Sequence, residues 1–204
     1  MKENKSDNLL IVFTRNPELG KVKTRLAKTV GAESALRIYK FLLNHTEQTI
    51  RQLDEDKAVF FSAQVRSDDI WANNVYQKYL QIGDNLGEKM FNAFKNSFSL
   101  GYKKVIIIGS DLYDLKEKHI KESFQKLESN KYVVGPAKDG GYYLIGLTHL
   151  NNRIFKNKAW GTETVFKDTM NDLVNESVFL LEELNDIDTY EDMQHNAELK
   201  ALIQ

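Results

Sequence analysis

The chain has 204 residues, with Lys+Arg 28 against Asp+Glu 29 and a net charge of −1. One domain of this length buries roughly 70% of the surface its unfolded chain exposes, so no staples are needed, and a duplex-DNA binder relying on bulk charge is disfavoured. Cys is 0, which excludes disulfides, thiolate metal sites, iron–sulfur clusters and a Cys nucleophile.

The first eight residues are polar and mixed in charge, and a flexible N-terminus is expected there. Residues 9–13 form an apolar run without alternation, as expected of a strand covered on both faces, and far too short for a membrane span. Residues 32–53 repeat apolar side chains at three- and four-residue steps and predict a helix. A strand at 58–61 follows, then a helix over 86–100 with Met90, Phe91, Phe94 and Phe98 on one side and Gly101 to end it. Residues 104–108 read as the central strand, 116–127 as a helix with Ile120, Phe124 and Leu127 inward, 132–134 and 142–145 as strands. A helix over 162–174, a strand at 178–181 and a closing helix over 190–203 complete the chain. The βαβα order predicts a single α/β domain spanning 1–204, three layers deep, with a mostly parallel sheet. Cytoplasmic location is the default, with no membrane or nucleic-acid partner, and the aromatic content (11%) is compatible with a homodimer face.

In such sheets, ligands sit beyond the carboxyl ends of the strands. After the first strand comes a loop with Arg15, Gly20, Lys21, Lys23 and Arg25. If extended, the two-residue spacing points Lys21, Lys23 and Arg25 the same way. Cations beside backbone N–H groups near a helix start suit a phosphate or diphosphate, and Gly20 would let the backbone approach it. A solvated basic loop is the plain alternative. Neither a Walker A loop nor a G-x-G-x-x-G is present. Asp111 follows the central strand by three residues, where a carboxylate can hold Mg²⁺ against substrate phosphates or simply cap a helix or shape a turn. Asp114 reads as a cap. Asp186 and Asp188 share a side if extended, with Asp188 a candidate second metal ligand, while Thr189 and Asp192 resemble a capping box. The Asp139-Gly140-Gly141 stretch is either a hairpin turn or a binding loop, and Trp160 either core or a stacking platform. The four histidines lack metal-ligand spacing, and no G-x-S-x-G elbow appears.

Six segments together carry a family resemblance. They are Pro17-x-x-Gly20-Lys21-Val22-Lys23-Thr24-Arg25-Leu26, Gly83-Asp84-x-Leu86-Gly87-Glu88-Lys89-Met90, Gly109-Ser110-Asp111, the stretch from Gly135 to Gly146, Trp160, and Asp186-Ile187-Asp188-Thr189-x-Glu191-Asp192. The chain resembles the bacterial GT-A-fold, nucleotide-diphospho-sugar-transferase-like proteins long carried as a domain of unknown function. Members are often labelled glycosyltransferases, some associated with radical-SAM and selenodomain proteins or with arsenosugar synthesis. More distantly it is similar to guanylyltransferases acting on phospholactate or molybdopterin.

The resemblance implies a GT-A fold and a Mg²⁺- or Mn²⁺-dependent transferase. It implies a nucleotide or nucleotide-sugar bound at Arg15, Gly20, Lys21, Lys23, Arg25, Gly83 and Asp84, with Asp111 and Asp188 on the metal. Asp111 and Asp139 are the catalytic candidates, and Gly140, Gly141 and Trp160 lie toward the sugar or a small-molecule acceptor. Two reactions fit, glycosyl transfer leading and nucleotidyl transfer with pyrophosphate release second; a non-catalytic nucleotide-binding module is the rival class. The chain departs from the family pattern at Tyr113 and Tyr190, where Pro is usual, and at Lys89, where Arg is common.

Overall fold

A computed structural model of the chain describes residues 6–203. Seven strands form one sheet in the order β3-β2-β1-β4-β6-β5-β7. They are β1 (Asn8–Thr14), β2 (Asp56–Phe61), β3 (Tyr76–Leu80), β4 (Lys104–Gly109), β5 (Tyr132–Pro136), β6 (Tyr142–Leu147) and β7 (Val178–Leu180). The β1, β2, β3 and β4 pairings are parallel, as is β5 with β7; β6 runs antiparallel to both β4 and β5. The expected mostly parallel, three-layer α/β architecture is what the chain adopts.

The unbroken apolar runs have a direct cause. Leu10, Val12, Ile106 and Ile108 face one core, with helices α2 (Ala32–Ile50) and α4 (Glu117–Lys126). Leu9, Ile11, Val105 and Ile107 face the other, against α3 (Leu86–Ser99) and a 3-10 turn at Arg153–Phe155. Both sides of the central strands are covered, so alternation vanishes. A third, smaller cluster joins Leu26 of α1 (Thr24–Val30), Ile38 and Leu42 of α2, Ile187, Met193 of α6 (Tyr190–Met193) and Leu199 of α7 (Ala197–Lys200).

The structure departs from the expectations at six points. The strand β3 and the helix α1 are additional elements. The helix expected over 162–174 is shorter, α5 (Val165–Asp172). The closing helix is two short ones, because Asn196 turns its side chain onto Leu199 N (3.0 Å) and starts a new helix. Asp114 lies in a turn, and Lys116 is the N-cap of α4. At the N-terminus, Asn8 already belongs to β1, and the Asp7 carbonyl accepts from Lys103 N and Lys104 N; residues 1–5 lie outside the described residues. Among the described residues, no helix is long and apolar enough to cross a membrane.

Candidate active site

The strand directions place the ends of β1, β4, β5 and β7 on one edge of the sheet. The segments that follow them meet around a cavity of about 420 Å³. Its charged walls are Arg15, Lys23 and Arg25 after β1, Asp111 after β4, Asp139 after β5, and Asp186 and Asp188 after β7. Asp111 therefore lies at the same end of the molecule as the cationic loop.

Lys23 is the centre of this group. Its Nζ lies 2.7 Å from Asp111 Oδ2 and 3.0 Å from Asp188 Oδ1, with its side chain only 3% exposed. Burial alone would lower its pKa; the two carboxylates outweigh that and hold the ammonium above the usual lysine range. Its backbone is left-handed (φ 46°, ψ 46°), which costs an L-residue about 1–2 kcal/mol. That conformation turns the chain from the loop into α1, where the Lys23 carbonyl accepts from Ala27 N (2.8 Å). The extended arrangement expected of Lys21, Lys23 and Arg25 is thus overturned. Lys21 pairs with Glu18 on the surface (2.6 Å) and lines a neighbouring cavity of about 370 Å³ with Asn16, Ser62, Gln81, Leu86 and Lys89. Arg25 is a helical residue whose guanidinium stands 3.8 Å from Asp188. Arg15 and Leu86 border both cavities.

The acidic wall is set by the backbone. An isolated parallel bridge, Ala137 with Leu184, continues the β5–β7 pairing. Lys138 N donates to Leu184 O (3.0 Å) and Leu184 N to Pro136 O (3.1 Å). Asp139 and Asp186 each lie two residues beyond that bridge. Asp188 is then fixed by the capping box foreseen in the sequence: Asp192 Oδ2 accepts from Asp188 N (3.0 Å), Thr189 N (2.7 Å) and Thr189 Oγ1 (2.9 Å).

Two residues of the site escaped sequence reasoning. Tyr39 reads as one more apolar residue of α2. Its hydroxyl in fact donates to Arg15 O (3.0 Å), accepts from Arg15 N (3.0 Å) and meets Ser110 Oγ (3.4 Å), so it ties the end of β1 to the end of β4. Burial, and then the nearby Asp111 charge, raise its pKa and keep the phenol neutral. Asp186 stood in the sequence only as a neighbour of Asp188. Burial, then the charges of Asp111 and Asp139, push its carboxyl up to about 7 against the pull of Lys23.

That shift makes a test of the cluster. An unfolded aspartate titrates near 3.9, so the folded state holds the Asp186 proton more tightly. The resulting stability is fully present below about pH 4 and is lost as pH rises through about 7. Asp186→Asn should match the wild type at pH 4 and exceed it by on the order of 2 kcal/mol at pH 8 in EDTA, after allowance for partial exposure. Thermal melts across that range check it, and parallel wild-type and variant curves would refute the crowding.

Other expected site residues sit elsewhere. Gly20 (φ +74°) forms the turn in which Lys21 N donates to Glu18 O (3.1 Å). Gly83 and Asp84 are not on the cavity wall; at the start of α3, Glu88 accepts from Asp84 N (2.9 Å) and Asn85 Nδ2 (2.9 Å). Gly140 and Gly141 are behind the wall. The Gly140 carbonyl accepts from Phe166 N (2.8 Å), and Asp139 Oδ1 accepts from Gly141 N (2.8 Å). Trp160 packs edge-on to Tyr142 (6.5 Å) and lines a separate cavity of about 380 Å³ with Phe91 and Phe155; its neighbour Gly161 is on the wall.

Comparisons with known proteins agree with this fold. A chain from Desulfovibrio desulfuricans G20, described as a "putative nucleotide-diphospho-sugar transferase", is 28% identical, with a TM-score of 0.86 over 97% of each chain. The 4-diphosphocytidyl-2C-methyl-D-erythritol synthase of Anaerococcus prevotii DSM 20548 shares the fold (13% identity, TM-score 0.61, 96% of each chain). So does Rv0371c of Mycobacterium tuberculosis H37Rv in complex with manganese (13%, TM-score 0.59, 94% of this chain and 98% of that one). No curated protein matches the sequence. The profile of the family described as "Uncharacterized protein conserved in bacteria (DUF2064)" matches residues 45–162. With more than half its length covered by that match, the chain belongs to the DUF2064 family of bacterial proteins.

Proposed function

We propose that the protein is a divalent-metal-assisted transferase that uses a nucleotide-sugar and moves its sugar to a small acceptor. The observation that carries the reading is the meeting of Lys23 with Asp111 and Asp188 in a cavity that also holds Arg15 and Arg25. Such a mixed set suits a diphosphate whose charge a metal ion shares. Among the described residues no three His, Cys, Asp or Glu side chains form a ready-made metal cage. Mg²⁺ and Mn²⁺ do not need one, since they accept one or two carboxylates and complete their shell with phosphate and water. The crowding that raises Asp186 marks an excess of negative charge, and the donors are hard oxygens, so the residues fit such an ion. Asp111 and Asp188 would hold it, and it would draw off charge from the phosphates.

In this reading the acceptor hydroxyl oxygen bonds to the anomeric carbon as the bond from that carbon to the diphosphate oxygen breaks. The hydroxyl proton passes to a base, for which Asp139 is the candidate, and the nucleoside diphosphate leaves. Arg15, Lys23 and Arg25 stabilise the negative charge that grows on it. The base of the nucleotide would lie toward the cavity that holds Asn16, Ser62 and Lys21, which Arg15 connects to this one.

A second reading is nucleotidyl transfer. Here an oxygen of a phosphorylated substrate bonds to the α-phosphorus of a nucleoside triphosphate, and pyrophosphate leaves. Lys23 favours it, being a buried and fixed cation of the kind that grips a β- or γ-phosphate. Thermal melts with nucleotide-sugars and nucleoside triphosphates, each with Mg²⁺, Mn²⁺ or EDTA, sort the candidates. A ligand at 100 times its Kd should add about 2.7 kcal/mol, or about 5–10 °C at this chain length, and only with metal. Product analysis then separates the two: nucleoside diphosphate supports sugar transfer, and pyrophosphate sinks it. Equal stabilisation in EDTA would leave a binding module without metal chemistry.

A further inference from the structure

We infer that Lys23 makes the cavity select a divalent cation that arrives with a phosphate over the bare ion, because its ammonium already stands as the counter-ion of Asp111 and Asp188. The inference rests on the reading of those two carboxylates as the metal's ligands.

The three cations of the site differ in their freedom. The Arg25 side chain is 61% exposed and only 3.8 Å from Asp188, and Arg15 is exposed; both can follow a ligand without leaving solvent. Lys23 cannot. Its side chain is buried, its Nζ is shared between two carboxylates, and its left-handed backbone opens α1. The base of that helix is held in turn by Leu26, packed with Ile187, the residue between Asp186 and Asp188. Lys23, Asp188 and α1 are one packed unit.

A bare divalent ion approaching Asp111 and Asp188 meets oxygens already bound by an ammonium. Two outcomes are open to it. It can share those oxygens with a like charge in a partly buried site, or it can displace Lys23 from both of its ion pairs and leave that buried cation only the field of Asp186, whose carboxyl forms no ion pair with it. Both are unfavourable. A phosphate entering with the ion changes the balance, for it gives Lys23 a new anionic partner at the moment the carboxylates pass to the metal. Metal and phosphate then strengthen each other's binding by one common factor. A site built this way stays closed to free divalent ions and opens to a metal–diphosphate complex.

The test uses the full chain and Mn²⁺ alone, followed by electron paramagnetic resonance titration of the free ion. Lys23→Met should bind Mn²⁺ at least tenfold more tightly than wild type, and Lys23→Arg, which keeps the charge, should stay within about threefold of wild type. Equal or weaker Mn²⁺ binding by K23M overturns the inference. If K23M does not fold, K23Q takes its place, and the wild type supplies a reading that needs no variant. Its melting temperature should move little with Mn²⁺ alone and by several degrees with Mn²⁺ and inorganic pyrophosphate together; the full shift with Mn²⁺ alone overturns the inference. The ligand assignment fails separately: tight Mn²⁺ binding by the K23M protein that also carries Asp111→Asn would place the ion elsewhere and overturn both.

Discussion

Asp111→Asn should lower kcat/KM for the matched nucleotide substrate by at least about 10³-fold, near 4 kcal/mol of transition-state stabilisation, while the fold survives. The substitution keeps the shape of the side chain and removes its charge. Asp111 is 38% exposed at the mouth of the cavity, so little packing is disturbed. Three effects converge on the loss. One of the two carboxylates available to a metal is gone, Lys23 keeps only Asp188 as an anchor, and the repulsion that raises Asp186 weakens. The metal-dependent part of nucleotide-induced thermal stabilisation should vanish with the activity. Melting curves of the unliganded protein should barely move. If D111N retained full metal-dependent stabilisation by nucleotide, the assignment of the site to this edge of the sheet would be wrong.

Gly140→Val should be the most damaging single change near the site, and through the fold rather than the chemistry. Gly140 has φ +85°, and a Cβ built on it would fall 2.2 Å from the Glu163 carbonyl oxygen. Backbone cannot retreat as a side-chain tip can. Strain and overpacking together should cost on the order of 3–5 kcal/mol, or roughly 10 °C in Tm for a chain of this length. Two neighbours act as controls. At Gly141 the nearest atom is the Asp139 carboxylate oxygen at 3.1 Å, the end of a side chain that can give, so Gly141→Ala should be mild. At Gly20 nothing lies within 4 Å and only the backbone (φ +74°) resists, so Gly20→Ala should cost about 1 kcal/mol. Differential scanning calorimetry of the three variants ranks them, and a tolerated G140V would contradict the close approach of the two loops.

These two residues also show how far the sequence could be read. The sheet was legible because the runs at Leu9–Phe13 and Lys104–Ile108 lack alternation, and two covered faces require that. The strand β3, Tyr-Gln-Lys-Tyr-Leu, was not, because it is an edge strand and only Tyr76 is buried. The placement of Asp111 followed from its distance past a central strand. The fate of the cations did not, since spacing reveals direction only if the loop is extended, and Lys23 turns the chain instead. The glycines at 140 and 141 pointed to a close approach. Its partner proved to be another stretch of this protein, at Glu163, which local sequence has no means to announce. Tyr39 was hidden by the very regularity that identified its helix.

The bond between Lys23 and Asp188 spans 165 positions of the polypeptide. The basic loop, Asp111 and Asp139 all come earlier in the chain, and the last acidic pair comes with the final stretch before α6 and α7. A nascent chain on the ribosome would therefore display its basic loop and Asp111 long before the pocket closes. The pocket is therefore complete only once the segment that carries Asp186 and Asp188 has docked against Lys23.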